Sequence, residues 1–283
     1  MSSQEKGIIA LDIDGTIAKS SNPVPVEGAL ALKSVYELGW TVFFITGRSF
    51  AFAKKALQHV DFPIYLALQN GADIIEYPSK EEIFKSYISK SILDFIEPFY
   101  ENKYYHYIVY SGIDKGDFCY YNPAKFSAKM GPYLEKLKEF SDAQWVEIDS
   151  GEDVQDKVSL VKCFGEYSLL QEIADSLEGV SCSIIRDTVD PDLFIMLITA
   201  GDANKGCALD HIKEIKEIKG PALVGGNDRN DISMLDKGDY RMVVEGSPKE
   251  VLEHADVIVE DPLDLGIINE IKRVIDGNGN FIK

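Results

Sequence analysis

Apolar residues fall into two alternating regimes along the chain. Over the first ~80 residues they come as continuous runs of strand length: Ile8-Ile9-Ala10-Leu11, Thr41-Val42-Phe43-Phe44-Ile45 and Ile64–Leu68. Helical stretches separate them. One covers Glu27–Leu38, with Leu30, Leu32, Val35 and Leu38 giving it an apolar face and Gly39 closing it; a second runs through about His59. Continuous apolar strands alternating with helices predict a parallel sheet covered on both faces. From about Ser79 to Asp190 the chain becomes rich in Tyr, Phe, Lys and Glu. Tyr104–Tyr110 and Asp117–Tyr121 are predicted as strands of an antiparallel sheet, and Lys125–Phe140 and Tyr167–Leu177 as amphipathic helices. From Leu193 the first regime resumes, with strand Phe194–Ile198, helix Asn204–Ile215 and strand Pro221–Val224. A helix through Met234-Leu235, strand Arg241–Val244, a helix near Pro248–His254 and Val257–Val259 follow. The expected fold class is α/β, with a parallel-sheet core from residues 1–80 and 191–283 interrupted by an α+β insert over 81–190. The tail Asp276–Asn280 is turn-rich and expected to fray.

Chemistry concentrates where the apolar strands end. Asp12-Ile13-Asp14-Gly15-Thr16 directly follows the first strand, which places both acids at the carboxyl edge of the sheet, where open α/β folds bind ligands. Residues i and i+2 of an extended segment point the same way, so two carboxylates can flank one reacting centre as nucleophile and acid/base. Gly15-Thr16 can offer main-chain N–H groups to an anion. Alone, this run also reads as an acidic helix cap. Three more polar clusters follow strands or open helices of the same regime: Thr46, Lys205, and Asn227/Asp228/Asn230/Asp231. Together they meet the needs of phosphoryl transfer: a carboxylate nucleophile, a second carboxylate for the leaving oxygen, a hydroxyl and a lysine for the phosphoryl group, and oxygen ligands for a hard cation such as Mg²⁺.

Composition narrows the partners. The chain has 283 residues, 45% hydrophobic and 27% charged, as in soluble globular proteins. A formal charge of −18 argues against a nucleic-acid backbone or an anionic membrane as partner. A small anionic substrate requires local cations or a metal. No apolar stretch approaches the ~20 residues of a membrane span, and the first six residues lack the apolar core of a signal peptide, so a cytoplasmic protein is expected. Cys119, Cys163, Cys182 and Cys207 are scattered without a CxxC pair and read as reduced thiols; the four histidines form no ligand spacing.

The four clusters resemble the four motifs of the haloacid dehalogenase-like phosphatases: Asp12-Ile-Asp14-Gly-Thr16, Thr46-Gly47-Arg48, Lys205-Gly206, and Gly226 through Asn230-Asp231-Ile-Ser-Met234-Leu235. Asn70-Gly71-Ala72 and the large insert match the Cof-type subfamily, whose Rossmann-like core carries an α/β cap. The resemblance implies Asp12 as nucleophile forming an aspartyl-phosphate. It implies Asp14 as general acid and then base, and Thr46 and Lys205 as holders of the phosphoryl oxygens. Gly47, Arg48, Asn70 and Asn230 become candidate substrate contacts. Mg²⁺ would lie between the Asp12 carboxylate, the Asp14 carbonyl and the fourth motif, through Asn227 and Asp231.

Each residue also has a plainer role. Thr46 can cap the next helix, and Lys205 can be a solvated helix-start lysine. Arg48 stands between a substrate contact and a surface ion pair, and Asn70 between a turn former and a substrate contact. The fourth motif departs from the family's usual Gly-Asp-Gly-x-Asn-Asp. Asn227 stands where the first aspartate belongs, which predicts weaker metal binding, with Asp228 or Asp231 compensating or a shifted register placing Asp228 on the metal. The expected function is an Mg²⁺-dependent phosphatase for a small phosphorylated metabolite such as a sugar phosphate. The alternatives are a phosphomutase and a catalytically weakened member that binds a phosphorylated ligand.

Overall fold

The computed structural model describes residues 6–19, 22–140, 142–187, 190 and 193–282. An eight-stranded sheet runs in the order Val257–Val259, Tyr240–Val244, Ala222–Gly226, Gly7–Leu11, Trp40–Ile45, Ile64–Leu68, Asp73–Tyr77 and Glu82–Lys85. The first six strands are parallel and the last two antiparallel. Gly7–Leu11, Trp40–Ile45 and Ala222–Gly226 are buried at every position. That is why they read as continuous apolar runs: both faces are covered. Ile9 and Leu11 pack with helices Val26–Glu37 and Gly266–Val274 on one side. Ile8 and Ala10 pack with helices Lys205–Ile215, Ile232–Leu235 and Lys249–Leu252 on the other.

A separate six-stranded sheet runs Val180–Arg186, Phe194–Ala200, Leu160–Gly165, Tyr107–Tyr110, Cys119–Tyr121 and Trp145–Glu147. It is antiparallel except for its last pair. One face packs on helices Ile92–Ile96 and Tyr167–Ser176, the other on helix Gly131–Phe140.

Four expectations change. The Phe194 strand, assigned above to the parallel core, lies inside the second sheet between Val180–Arg186 and Leu160–Gly165. It carries apolar residues on both faces because that sheet is covered on both sides, so its run looks like a parallel core strand. Glu82–Lys85 conversely joins the first sheet, as its edge. The helix expected from Lys125 begins at Gly131, after 3₁₀ turns at Pro123–Lys125 and Ala128–Met130. The tail is tied down rather than frayed. The Trp40 indole N–H donates to the Gly279 carbonyl at 2.9 Å, and Ile275 pairs with Phe281.

The second sheet is held over the first at the motif end. Asp117 Oδ2 accepts the Ala51 main-chain N–H at 2.6 Å, at the start of helix Phe50–Ala56. Lys55 reaches Asp142 at 3.2 Å, and Ser86 donates to Asp202 at 2.5 Å where the chain crosses between sheets. Among the described residues no helix is long and apolar enough to cross a membrane.

His106 is 3% exposed, its ring 4.1 Å from Tyr107 and 5.2 Å from Tyr100. Burial pushes its imidazole down to about 4, only partly opposed by Glu97. Protonation therefore favours the unfolded chain, so stability is greatest above the ordinary histidine range and falls as pH drops toward 4. Urea midpoints from pH 7 to 4 should fall, and His106→Phe should flatten that fall by a few kcal/mol. An unchanged pH slope in the variant would show that His106 does not carry the effect.

Candidate active site

Asp12 continues the first strand by one residue, its N–H donating to Gly225 O at 3.0 Å. Beyond it the chain turns on the Ile13 carbonyl, which accepts from Ile17 and Ala18 at 3.2 and 3.0 Å. Gly15 has φ +79°, and a Cβ there would stand 2.3 Å from the Asn227 side-chain nitrogen. Only glycine lets the first and fourth motif loops approach this closely.

Lys205 opens helix Lys205–Ile215, whose N-cap Asn204 accepts from Cys207 N at 2.9 Å. Its ammonium is 1% exposed and donates to Asp12 Oδ1 at 2.5 Å and Asp231 Oδ1 at 2.6 Å. The solvated-lysine role is thereby excluded. Burial alone would lower its pKa, but Asp12 and Asp231 outweigh it and hold the ammonium above the ordinary lysine range. Burial lifts the Asp12 carboxyl to about 7 against the pull of Lys205, with Asp231 and Asp14 adding to the rise. Burial also raises Asp228. Asp12, Asp14, Asp228 and Asp231 outnumber Lys205 and Arg48 in this crevice, leaving it net negative.

The remaining motif residues sort by their contacts. Arg48 is buried and grips Asp14 with two nitrogens, Nε to Oδ2 at 2.6 Å and Nη2 to Oδ1, while its guanidinium stacks 4.3 Å over the Phe52 ring. The ion pair left open above is real, but it is internal and orients Asp14. The Thr46 hydroxyl accepts from Arg48 N at 3.1 Å and does not cap the following helix, which starts after Ser49. Asn70 adopts φ 58°, and its side-chain oxygen accepts from Asn230 at 3.2 Å. Asn230, Gly47, Thr46 and Arg48 line the cavity at the strand ends together with Asp12, Asp14, Asn227 and Asp228. Asn70 stands behind Asn230 and outside that lining, in a bracing position.

Asp231, expected as a metal ligand, is committed elsewhere. One oxygen takes Lys205; the other accepts the main-chain N–H groups of Asn227 and Asp228 at 2.8 and 2.9 Å, with no exposure to solvent. It braces the lysine and the fourth-motif loop rather than facing a cation. Thr16 marks the position that suits one. Its hydroxyl lies 3.1 Å from both Asp12 Oδ2 and Asn227 Oδ1. A single hydroxyl proton serves one of these oxygens at a time, so the other keeps free lone pairs. The Asp12 and Asn227 side-chain oxygens form a hard, all-oxygen pair in the crevice that Asp14 also lines, which fits Mg²⁺. Asn227, not Asp228, shares Thr16 with Asp12, which supports the register that puts asparagine in the first acidic position.

Several lining residues were missed by sequence reasoning: Phe52 beside Arg48, Leu160, Lys162 and Leu197 from the second sheet, and Asp187 just past its edge strand. Lys162, a charge at an inward position of an apolar strand, was the one legible hint.

Residues 9–271 match the family model of the haloacid dehalogenase-like hydrolases. The chain belongs to that family. It is 23% identical to the 5-amino-6-(5-phospho-D-ribitylamino)uracil phosphatase of Bacillus subtilis, over 95% of this chain and 98% of that one. The phosphoglycolate phosphatase of Methanothermobacter thermautotrophicus is 21% identical over 94% and 97%. The phosphoglycolate phosphatase 2 of Saccharolobus solfataricus aligns at 26% over 83 residues, 29% of this chain and 35% of that one. Among solved structures, a haloacid dehalogenase-like hydrolase from Bacteroides thetaiotaomicron superposes with TM-score 0.75 at 17% identity, covering 96% and 100%. A subclass IIB sugar phosphatase of the superfamily gives TM-score 0.75 at 21% identity, covering 94% and 98%. These likenesses extend the shared fold over both sheets.

Lys205→Met leaves two carboxylates buried without their cation and should cost ~3–5 kcal/mol in urea unfolding. Lys237→Met, which removes an exposed pair with Asp210, should cost less than about 1 kcal/mol. Equal costs would contradict the bracing role of Lys205.

Proposed function

We propose that this hydrolase is a phosphatase acting on a small phosphorylated metabolite through an aspartyl-phosphate on Asp12, with the second sheet and its helices as an inserted cap. The observation that carries the reading is the Asp12–Lys205–Asp231 chain beside the Arg48–Asp14 pair. It offers one carboxylate backed by a fixed ammonium and a second held at the cavity wall by a bidentate guanidinium.

In the forward step an Asp12 oxygen attacks phosphorus, the P–O bond to the alcohol breaks, and Asp14, having taken up a proton from solvent on an oxygen it frees from Arg48, gives that proton to the departing oxygen. In the second step Asp14 takes a proton from water as that water attacks phosphorus. The acyl phosphate then breaks, releasing phosphate and restoring the Asp12 carboxylate. Lys205 and the Thr46 hydroxyl would hold phosphoryl oxygens and Arg48 would keep Asp14 aimed, whereas the Gly15 and Thr16 main-chain N–H groups, expected from the sequence to meet an anion, donate within their own turn to Ala18 and Ile13. Mg²⁺ held by Asp12, the Asp14 carbonyl and Asn227 would supply charge neutralisation for the phosphoryl oxygens.

Phosphate release from para-nitrophenyl phosphate should require Mg²⁺ and drop by about 10³-fold or more in Asp12→Asn. Release unaffected by that change would refute the nucleophile; with a hexose phosphate as substrate, an isomeric phosphate ester in place of free phosphate would identify a phosphomutase. Asn227→Asp adds a charge to the cation site, so the Mg²⁺ concentration for half-maximal activity and for half-maximal thermal stabilisation should both fall by about tenfold. No change in either would remove Asn227 from the donor set.

A further inference from the structure

The cavity above Asp12 has a volume of about 150 Å³, and its two ends differ in chemistry. The floor is the polar constellation described above. The roof is one face of the six-stranded sheet. Leu160 pairs with Tyr110, Lys162 with Leu197, and Ile185 with Ile195, so period-two alternation turns these side chains the same way. Leu137 from helix Gly131–Phe140 and Trp145 join them at the cavity wall. The charges on this roof satisfy each other. Lys162 donates to Asp187 at 3.1 Å, and the Tyr133 hydroxyl donates to the same carboxylate at 2.8 Å. One donor is left over: among the described residues the buried Trp145 indole N–H has no hydrogen-bond partner.

A hydroxylated chain suits this roof poorly. Each hydroxyl pressed against leucine or isoleucine without a partner weakens binding by roughly tenfold to a hundredfold.

We infer that the carbon frame of the phosphorylated ligand is an apolar group seated under Leu137, Leu160, Ile185, Ile195 and Leu197. The inference rests on the phosphatase reading for where the phosphoryl group sits, and it replaces the sugar frame expected from the sequence.

Binding decides it, and turnover decides the phosphatase reading. Benzylphosphonate should bind the Mg²⁺-loaded wild type at least tenfold more tightly than methylphosphonate by calorimetry. Ile185→Thr keeps a β-branched residue on an edge strand of the sheet but adds a hydroxyl; it should shrink that advantage several-fold, as should Leu137→Gln on the helix. Benzyl phosphate and glucose 6-phosphate are both esters of primary alcohols, and kcat/KM should favour the benzyl ester by at least tenfold. Equal binding of the two phosphonates, or a kcat/KM that favours the hexose, overturns the apolar seat. Absent turnover of both esters with tight benzylphosphonate binding would instead defeat the phosphatase reading while supporting the seat.

Discussion

The Lys205 ammonium is the tie on which the rest of the site depends. Removing such a charge from water costs several kcal/mol unless it is fully partnered, and its partners come from distant parts of the chain. Asp12 ends the first strand; Asp231 follows the strand at Ala222–Gly226; Lys205 opens a helix after the second sheet. One buried cation therefore fixes three loops at one sheet edge. Asp231 extends the restraint by taking the main-chain N–H groups of Asn227 and Asp228, so the fourth-motif loop inherits its place from the same lysine. Arg48 does for Asp14 what Lys205 does for Asp12. The two carboxylates are thus oriented by separate cations.

Much of the core was legible in the sequence because burial on both faces leaves an unmistakable mark. Ile8–Leu11 and Val42–Ile45 have no polar position, and each ends abruptly in a polar residue. Strand ends in an open α/β sheet converge, so Asp12, Thr46, Lys205 and Asn227 could be grouped before any distance was known. The same mark misled at Phe194–Ala200. A sheet roofed by helices on one face and closed over a core on the other also lacks exposed positions, and six apolar residues do not say which sheet they join.

Finer assignments depended on where long side chains reach, which spacing does not encode. Arg48 and Asp14 are 34 residues apart, and their pairing needs the first two strands side by side. Asp231 looked like a ligand because it is an acid in a metal-binding motif; three donors within hydrogen-bonding distance make it a brace. Asn70 likewise turns from a substrate contact into the support of Asn230. The roof of the cavity was the least legible part. Leu160, Ile185 and Leu197 are ordinary core residues in sequence, and only sheet register, with Leu137 added from the helix packed on that face, brings them to one surface facing the carboxylates.

The most direct test of the whole account is to catch the phosphorylated enzyme. Acid-quenched turnover followed by peptide mass spectrometry should find phosphate on the peptide containing Asp12, with the label removed by hydroxylamine as for an acyl phosphate. Steady phosphate release with no such adduct, or with an adduct on another residue, would contradict the assignment of Asp12 and the mechanism built on it.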